Sequence, residues 1–271
     1  MKPHLLLSIA GLLGLLTIGT PWPVSAQSAA SDPQQSADAS TADPYLPEHQ
    51  LEFRPLIDMP RDEGFVTELL LMRAHLTVGM ALYGSGVQDQ AIAHCAHPLE
   101  ELYDDLALQL DDRGLPPFGS DLRTLTDRLH AQASPAEVNA AADKAKAAIN
   151  AAIDAVDSAR REAPDFVVTV ATGLIKAAQQ DYQSSLTGGR VTSPIEYEDS
   201  WAFFQEARTL LAGSTAQLAA KNGAALDDLS AQIDKLASLW PTMLPPPQIF
   251  ADASYIGPIL GHIESLRQRF E

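Results

Sequence analysis

Apolar residues recur along most of this chain at intervals of three and four, the spacing that lines up one face of a helix. Phe65, Leu69, Met72, Leu76 and Met80 form such a stripe. Asp62 or Glu63 opens that helix, which runs to about Tyr83 and stops at Gly84-Ser85-Gly86. A short helix follows from about Gln88 to Ala96, and Pro98 opens a third that extends through Leu110. Small residues at Gly79, Gly86, Ala91 and Cys95 predict a tight hairpin between the first two. Pro116 and Pro117 break the chain, and Asp121 caps a helix to about Gln132. Ser134-Pro135-Ala136-Glu137 and Ser193-Pro194-Ile195-Glu196 both read as capping boxes with proline at the first helical position. The first opens an alanine-rich helix striped by Val138, Ala142, Ala145, Ile149, Ile153 and Val156. The second opens a helix through about Ala220 carrying Trp201, Phe204, Leu210 and Leu211. Asp165 or Phe166 to Ser185, Leu226 to Leu239 and Ile256 to Phe270 complete the set. Phe166 to Val170 taken alone would suit a strand, but no run alternates with period two. The pattern predicts an all-α bundle of about seven to eight helices arranged as antiparallel hairpins.

The N-terminal pattern differs. Lys2 precedes an apolar run from Leu5 to Ile18, followed by Pro21, Pro23 and Val24-Ser25-Ala26. This is the layout of a cleaved secretory signal over residues 1–26, and the run falls short of the roughly 20 residues that span a bilayer. Residues 27–50, rich in Ser, Ala, Asp, Pro and Gln, read as a flexible leader. Residues 51–271 form the helical-bundle domain. No later segment is expected to approach a membrane span, so the expected address is the periplasm, peripheral to the membrane at most. Cys95 is the only cysteine, which excludes an internal disulfide and covalent haem c. Thirty-five acidic against 18 basic residues give a formal charge of −17, a field that repels nucleic acid and gathers cations.

Side chains able to hold a cation are densest in the first hairpin. Glu68, Met72 and His75 share a face of the first helix, and His94, His97 and Glu100 lie at the end of the second and the start of the third. The expected metal ligands are His75, His94, His97 and Glu100, with Glu68 in reserve. The competing reading makes His94 a charge at a helix C-terminus, His97 a turn residue and Glu100 a first-turn acid. A second, oxygen-rich cluster comprises Asp181, Tyr182, Glu196, Glu198 and Asp199. Here Glu196 already has a capping role, and Glu198 and Asp199 read as first-turn acids. The mixed donors do not fix the metal, and Met72, Met80 and Cys95 nearby would favour Cu(I), which keeps copper open as an alternative. No nucleophile elbow, HExxH, P-loop or dinucleotide fingerprint is present, and no enzyme activity is expected.

Asp181-Tyr182, Gly189-Arg190-Val191, Glu196-Tyr197 and the following Phe203 or Phe204 resemble a segment of the extracytoplasmic helical domains associated with high-affinity ferric iron permeases. The permease's own Arg-Glu-x-x-Glu membrane motif is absent. The resemblance implies an accessory role in iron uptake beside an inner-membrane iron permease or a cytochrome, not transport by this chain. His97-Pro98-Leu99-Glu100 matches the HxxE of the imelysin-like family, with Cys95 standing where that family's longer motif has glycine. That match implies His97 and Glu100 as ligands and, in its hydrolase form, Glu100 as a base. A third expectation is a helical interaction module whose histidines are structural.

Overall fold

The computed structural model describes residue 56 and residues 58–271. The expected signal (1–26) and leader (27–50) lie outside the described residues. The described chain is an all-α bundle. Its helices are α1 (Arg61–Gly84), α2 (Gln88–His97), α3 (Tyr103–Asp112), α4 (Gly119–His130), α5 (Pro135–Asp154), the single turn α6 (Ser158–Arg161), α7 (Pro164–Ser184), α8 (Pro194–Gly213), α9 (Thr215–Ala237) and α10 (Ile256–Arg267).

Three of these form the centre. α7 and α8 make the most extensive helix pairing, and α1 packs against both, as well as against α2 and α5. A helix whose whole circumference is covered loses the contrast between an apolar and a polar face. α1 shows this plainly, with Val66 to Met72 buried without a break. In α8, Tyr197 to Ser200 are likewise buried in succession. α1 is in fact long and apolar enough to cross a membrane, contrary to the expectation for the chain beyond the leader. Its apolar surface is instead taken up by neighbouring helices, and it also buries Glu63, Thr67, Glu68 and His75.

Helix ends follow their local chemistry in some places and are overruled in others. At Ser134 the capping box is complete: the Glu137 amide donates to Ser134 Oγ, and the Ser134 amide donates to the Glu137 carboxylate at 3.1 Å. At Ser193 no side-chain cap forms. The Ser193 amide that a capping glutamate needs already donates to the Ser185 carbonyl at 3.2 Å, beside the Thr192 amide at 2.8 Å. Those bonds close a small hairpin, Leu186–Thr187 against Arg190–Val191. No strand was expected here. Gly188 and Gly189 turn it with φ of 58° and 75°, the positive values a two-residue hairpin turn requires.

The helix expected to run from Ser193 to Ala220 ends at Gly213 and restarts at Thr215. α9 then breaks its φ/ψ pattern at Asn222, whose Oδ1 accepts from the Ala225 amide at 3.1 Å and so caps the second half. Pro98 lies within a continuous helical path. It follows α2 directly and opens a π-helical turn, Pro98–Leu102, that leads into α3. Proline lacks the amide that would bond four residues back and its ring crowds that carbonyl, so the path widens there.

The two serines give a direct comparison. Ser134→Ala is expected to destabilise by about 1 kcal/mol, whereas Ser193→Ala should change stability by less than about 0.5 kcal/mol. Urea unfolding of both variants checks this, and equal losses would contradict the difference in capping.

Candidate metal centre

α1 and α2 approach closely because of Gly79. A Cβ there would lie 2.6 Å from Cys95 Sγ and 3.2 Å from both the Ala91 carbonyl oxygen and His94 Cβ. Gly79 is one turn beyond His75, and His94 is three residues before His97, so the close approach sets His75 facing the histidine-bearing side of α2. α8 closes the arrangement from the other side with Glu198 and Asp199, both buried.

The Asp199 carboxylate is the hub. Its Oδ1 lies 2.7 Å from His75 Nδ1 and 2.8 Å from His94 Nδ1, and its Oδ2 lies 3.4 Å from His97 Nδ1. One ligand atom from each of these four residues lies within 4.8 Å of all the others. The His94 contact has hydrogen-bond geometry. The His75 contact does not: both of its ring nitrogens are buried without a hydrogen-bond partner, although Nδ1 is only 2.7 Å from a carboxylate oxygen. Neighbouring ligands of a cation at about 2.1 Å and right angles stand about 3 Å apart, with lone pairs directed to a common point and not at each other. Nitrogen and oxygen atoms at such separations without hydrogen-bond angles fit that arrangement. The ring of Phe203 meets His75 edge-on at 4.9 Å and adds an apolar wall.

Comparison with known proteins bears on the C-terminal half. Residues 157–270 match the iron permease-associated 4-helix bundle domain. No curated protein and no solved structure matches the chain. The matched region contains α7 to α10 and therefore Glu198 and Asp199, while His75, His94 and His97 lie before it. It also contains the Asp-Tyr, Glu-Tyr and Phe positions on which the permease-domain resemblance rests. Their aromatic rings are core. Tyr182 and Tyr197 are fully buried, Phe204 stacks on Trp240 at 4.6 Å, and Trp240 Nε1 donates to Ser200 Oγ at 2.8 Å.

The expected ligands separate into two groups. His75, His94 and His97 converge. Glu100 does not join them: it is exposed on the π-helical turn, and the carboxylate beside His97 is that of Glu101, 3.9 Å from Nε2. The imelysin-like pairing of His97 with Glu100 therefore has no counterpart in the fold. Glu68 is buried on α1 but accepts from Gln109 Nε2 at 2.6 Å and stands outside the converging set. Asp199 was assigned to a separate oxygen-rich cluster as a first-turn acid. The helix begins at Pro194, so Glu198 and Asp199 occupy its second turn, facing inward. The signal available in the sequence was Glu198-Asp199 flanked by aromatic residues, which is unusual for a solvated acidic pair. Glu196, relieved of capping, sits half-buried near the rim. Burial and the Asp199 charge push its carboxyl above the ordinary range. Cys95 points into the packed contact with Gly79, and burial pushes its thiol up to about 12.

Burial lowers the proton affinity of His94 and His97, but the carboxylates around them more than reverse this. Asp199 and Glu198 raise His94 to about 9, and Asp199 and Glu101 raise His97 to about 9. Complete burial of Asp199 pushes its carboxyl up, yet His75 and His94 hold it well below the usual carboxylate range.

Glu68 supplies a separate test of buried charge. Burial, opposed by the Gln109 hydrogen bond and reinforced by Asp105, raises its carboxyl from 4.5 to about 8. The folded protein thus keeps a proton that the unfolded chain gives up near 4.5. This group's contribution to stability falls as pH rises from about 4.5 to about 8 and is level above. Glu68→Gln is expected to leave stability near pH 4 unchanged and to raise it at pH 8 by about 4 kcal/mol. Urea unfolding at the two pH values measures the difference, and a loss at pH 8 would show that the carboxylate is needed ionised.

Proposed function

We propose that this chain is an extracytoplasmic metal-binding accessory protein of iron uptake, holding its cation between His75, His94, His97 and Asp199 without catalysing a reaction. The observation that carries the proposal is the convergence of three imidazoles on one buried carboxylate. The match of residues 157–270 to an iron permease-associated domain favours iron as the cargo and a permease as the partner. The acidic surface of the chain favours cations reaching the centre. Nitrogen and oxygen donors suit iron, zinc or manganese. Copper(I), the alternative on sequence grounds, would want sulfur, and Cys95 is not among the converging ligands.

Within this reading each residue has a distinct task. The three Nδ1 atoms and the Asp199 carboxylate hold the cation. Phe203 and the surrounding helices exclude water, which strengthens the electrostatic attraction. His97, the most exposed of the three histidines, with Glu101 and Glu196 at the rim, faces the route by which an ion enters.

Alanine at His75, His94 or His97, or Asp199→Asn, is expected to weaken binding of Fe(II) by tenfold or more, with Glu100→Ala within twofold of native. Anaerobic isothermal titration of the variants, with thermal melting of the apo proteins as a folding control, measures this. Native protein that takes up none of Fe(II), Fe(III)-citrate, Zn(II) or Cu(I) would leave the interaction-module reading in its place.

The pH response follows from the histidines. A cation binds neutral imidazole, so below about 9 it must displace protons from His94 and His97. Affinity is therefore expected to rise with pH up to about 9, and to fall about tenfold per pH unit below that for each proton displaced. Titrations at pH 6, 7 and 8 measure the slope, and a flat profile would exclude the histidines as ligands.

A further inference from the structure

Glu198 is not among the four converging ligands, yet its placement follows from them. Its side chain is fully buried, and its Oε2 lies 2.8 Å from His94 Nε2. The other nitrogen of the same ring, Nδ1, lies 2.8 Å from Asp199 Oδ1. Consecutive residues on a helix point about 100° apart, and here that divergence lets Glu198 and Asp199 take the two opposite nitrogens of one imidazole. A neutral imidazole carries one proton, so the nitrogen facing Glu198 must donate it if Nδ1 is to offer its lone pair to a cation. A carboxylate on the far nitrogen of a ligating histidine fixes that tautomer and the ring's orientation.

Charge gives Glu198 a second consequence. Asp199 and Glu198 are the two deeply buried carboxylates of this centre, whereas Glu101 and Glu196 stand at the partly exposed rim, where solvent and salt screen them. Two carboxylates and three neutral imidazoles balance a divalent ion. A trivalent ion leaves one positive charge unmatched in a dry site, and a monovalent ion one negative charge, each of which burial penalises.

We infer that Glu198 is the positioning carboxylate of this centre, holding His94 with Nδ1 free for the ion and supplying the second buried negative charge that makes the site take a divalent cation. The inference rests on the reading of the centre as a cation site. It goes beyond that reading by naming the charge state of the cargo, ferrous and not ferric for iron, and the residue that sets it.

Co(II) is the probe, because its visible absorption reports the ligand field directly. Glu198→Gln keeps the shape and an acceptor for His94 but removes the charge, and is expected to weaken Co(II) binding by 10- to 100-fold with an altered visible spectrum. Glu198→Asp keeps the charge and should lose less affinity than Gln. If Glu198 acts partly through His94, adding Glu198→Gln to His94→Ala should cost clearly less than Glu198→Gln costs in the native protein, since the positioning part is gone and only the lost charge remains. Native protein should also take up Fe(II) at least 100-fold more tightly than Fe(III) offered as citrate. Losses that multiply in the double variant, a Glu198→Gln protein within threefold of native, or an aspartate variant as weak as the glutamine one would each overturn the role of Glu198 while leaving the centre intact. Tighter uptake of Fe(III) would overturn the divalent preference. Absence of Co(II) binding by the native protein would overturn the reading of the centre and this inference with it, whereas native binding that Asp199→Asn loses and Glu198→Gln keeps would overturn only the inference. Glu198→Asp keeps the comparison decisive if the glutamine variant does not fold.

Discussion

A carboxylate without water, surrounded by imidazoles, is the constraint around which the centre of this protein is organised. Asp199 has almost no exposed surface, and its ordinary solvation is replaced by contacts with His75, His94 and His97. Leaving such a charge uncompensated costs several kcal/mol. The helices that supply its partners are therefore coupled to it, as well as to each other through apolar contact. α8 brings the acid, α1 and α2 bring the imidazoles, and the absence of a side chain at Gly79 lets the latter two close enough to deliver them together. The packing and the polar cluster depend on each other, since His75 is fully buried on α1 and Asp199 lies in the buried turn Tyr197 to Ser200 of α8.

The surroundings of the cluster divide into a dry side and an open side. On the dry side, Phe203 covers His75, and Tyr182, Tyr197 and Phe204 of the central helices interlock with Trp240 from the connection after α9. Buried tyrosine hydroxyls are satisfied by carbonyls of the C-terminal segment, Tyr182 by Ala251 at 2.7 Å and Tyr197 by Thr242 at 3.2 Å. These bonds tie the long connection after α9 to the core, so the aromatic positions stabilise the frame that carries the acids. On the open side, His97, Glu101 and Glu196 meet solvent. The π-helical turn at Pro98 sits at this boundary. A widened turn next to a polar centre is a frequent feature of functional sites, because it sets side-chain directions that a regular helix does not offer.

The match to the iron permease-associated domain stops short of the histidines. The matched helices supply the carboxylates and the aromatic support, and the preceding helical hairpin supplies the nitrogen donors. The centre is thus composed across the boundary of the match. An account of the matched region alone would find two buried acids with nothing to neutralise them, and an account of the hairpin alone would find three histidines with no carboxylate of their own at the right distance.

The helices, most of their ends and the all-α class were legible in the sequence because they rest on local rules: periodicity of apolar positions, proline at first positions, and a serine three residues before a glutamate. The convergence of His75, His94 and His97 was also within reach, since a tight hairpin of known helices fixes which of their faces meet. What tertiary structure decided depends on groups distant in sequence. Ser193 carries the same capping signal as Ser134, but the Ser185 carbonyl takes its amide, and no local rule reveals that. Glu101, four residues after His97, is the carboxylate beside it, while Glu100 turns to solvent on the π-helical turn. Asp199 left the oxygen-rich cluster for the histidines because the turn of α8 that carries it, Tyr197 to Ser200, is buried on every side. A helix buried all round carries no apolar stripe to show which way its charged residues turn. That direction was settled by the packing of α8 against α1 and α2, among residues more than 100 positions apart in the chain where Asp199 meets His75 and His94.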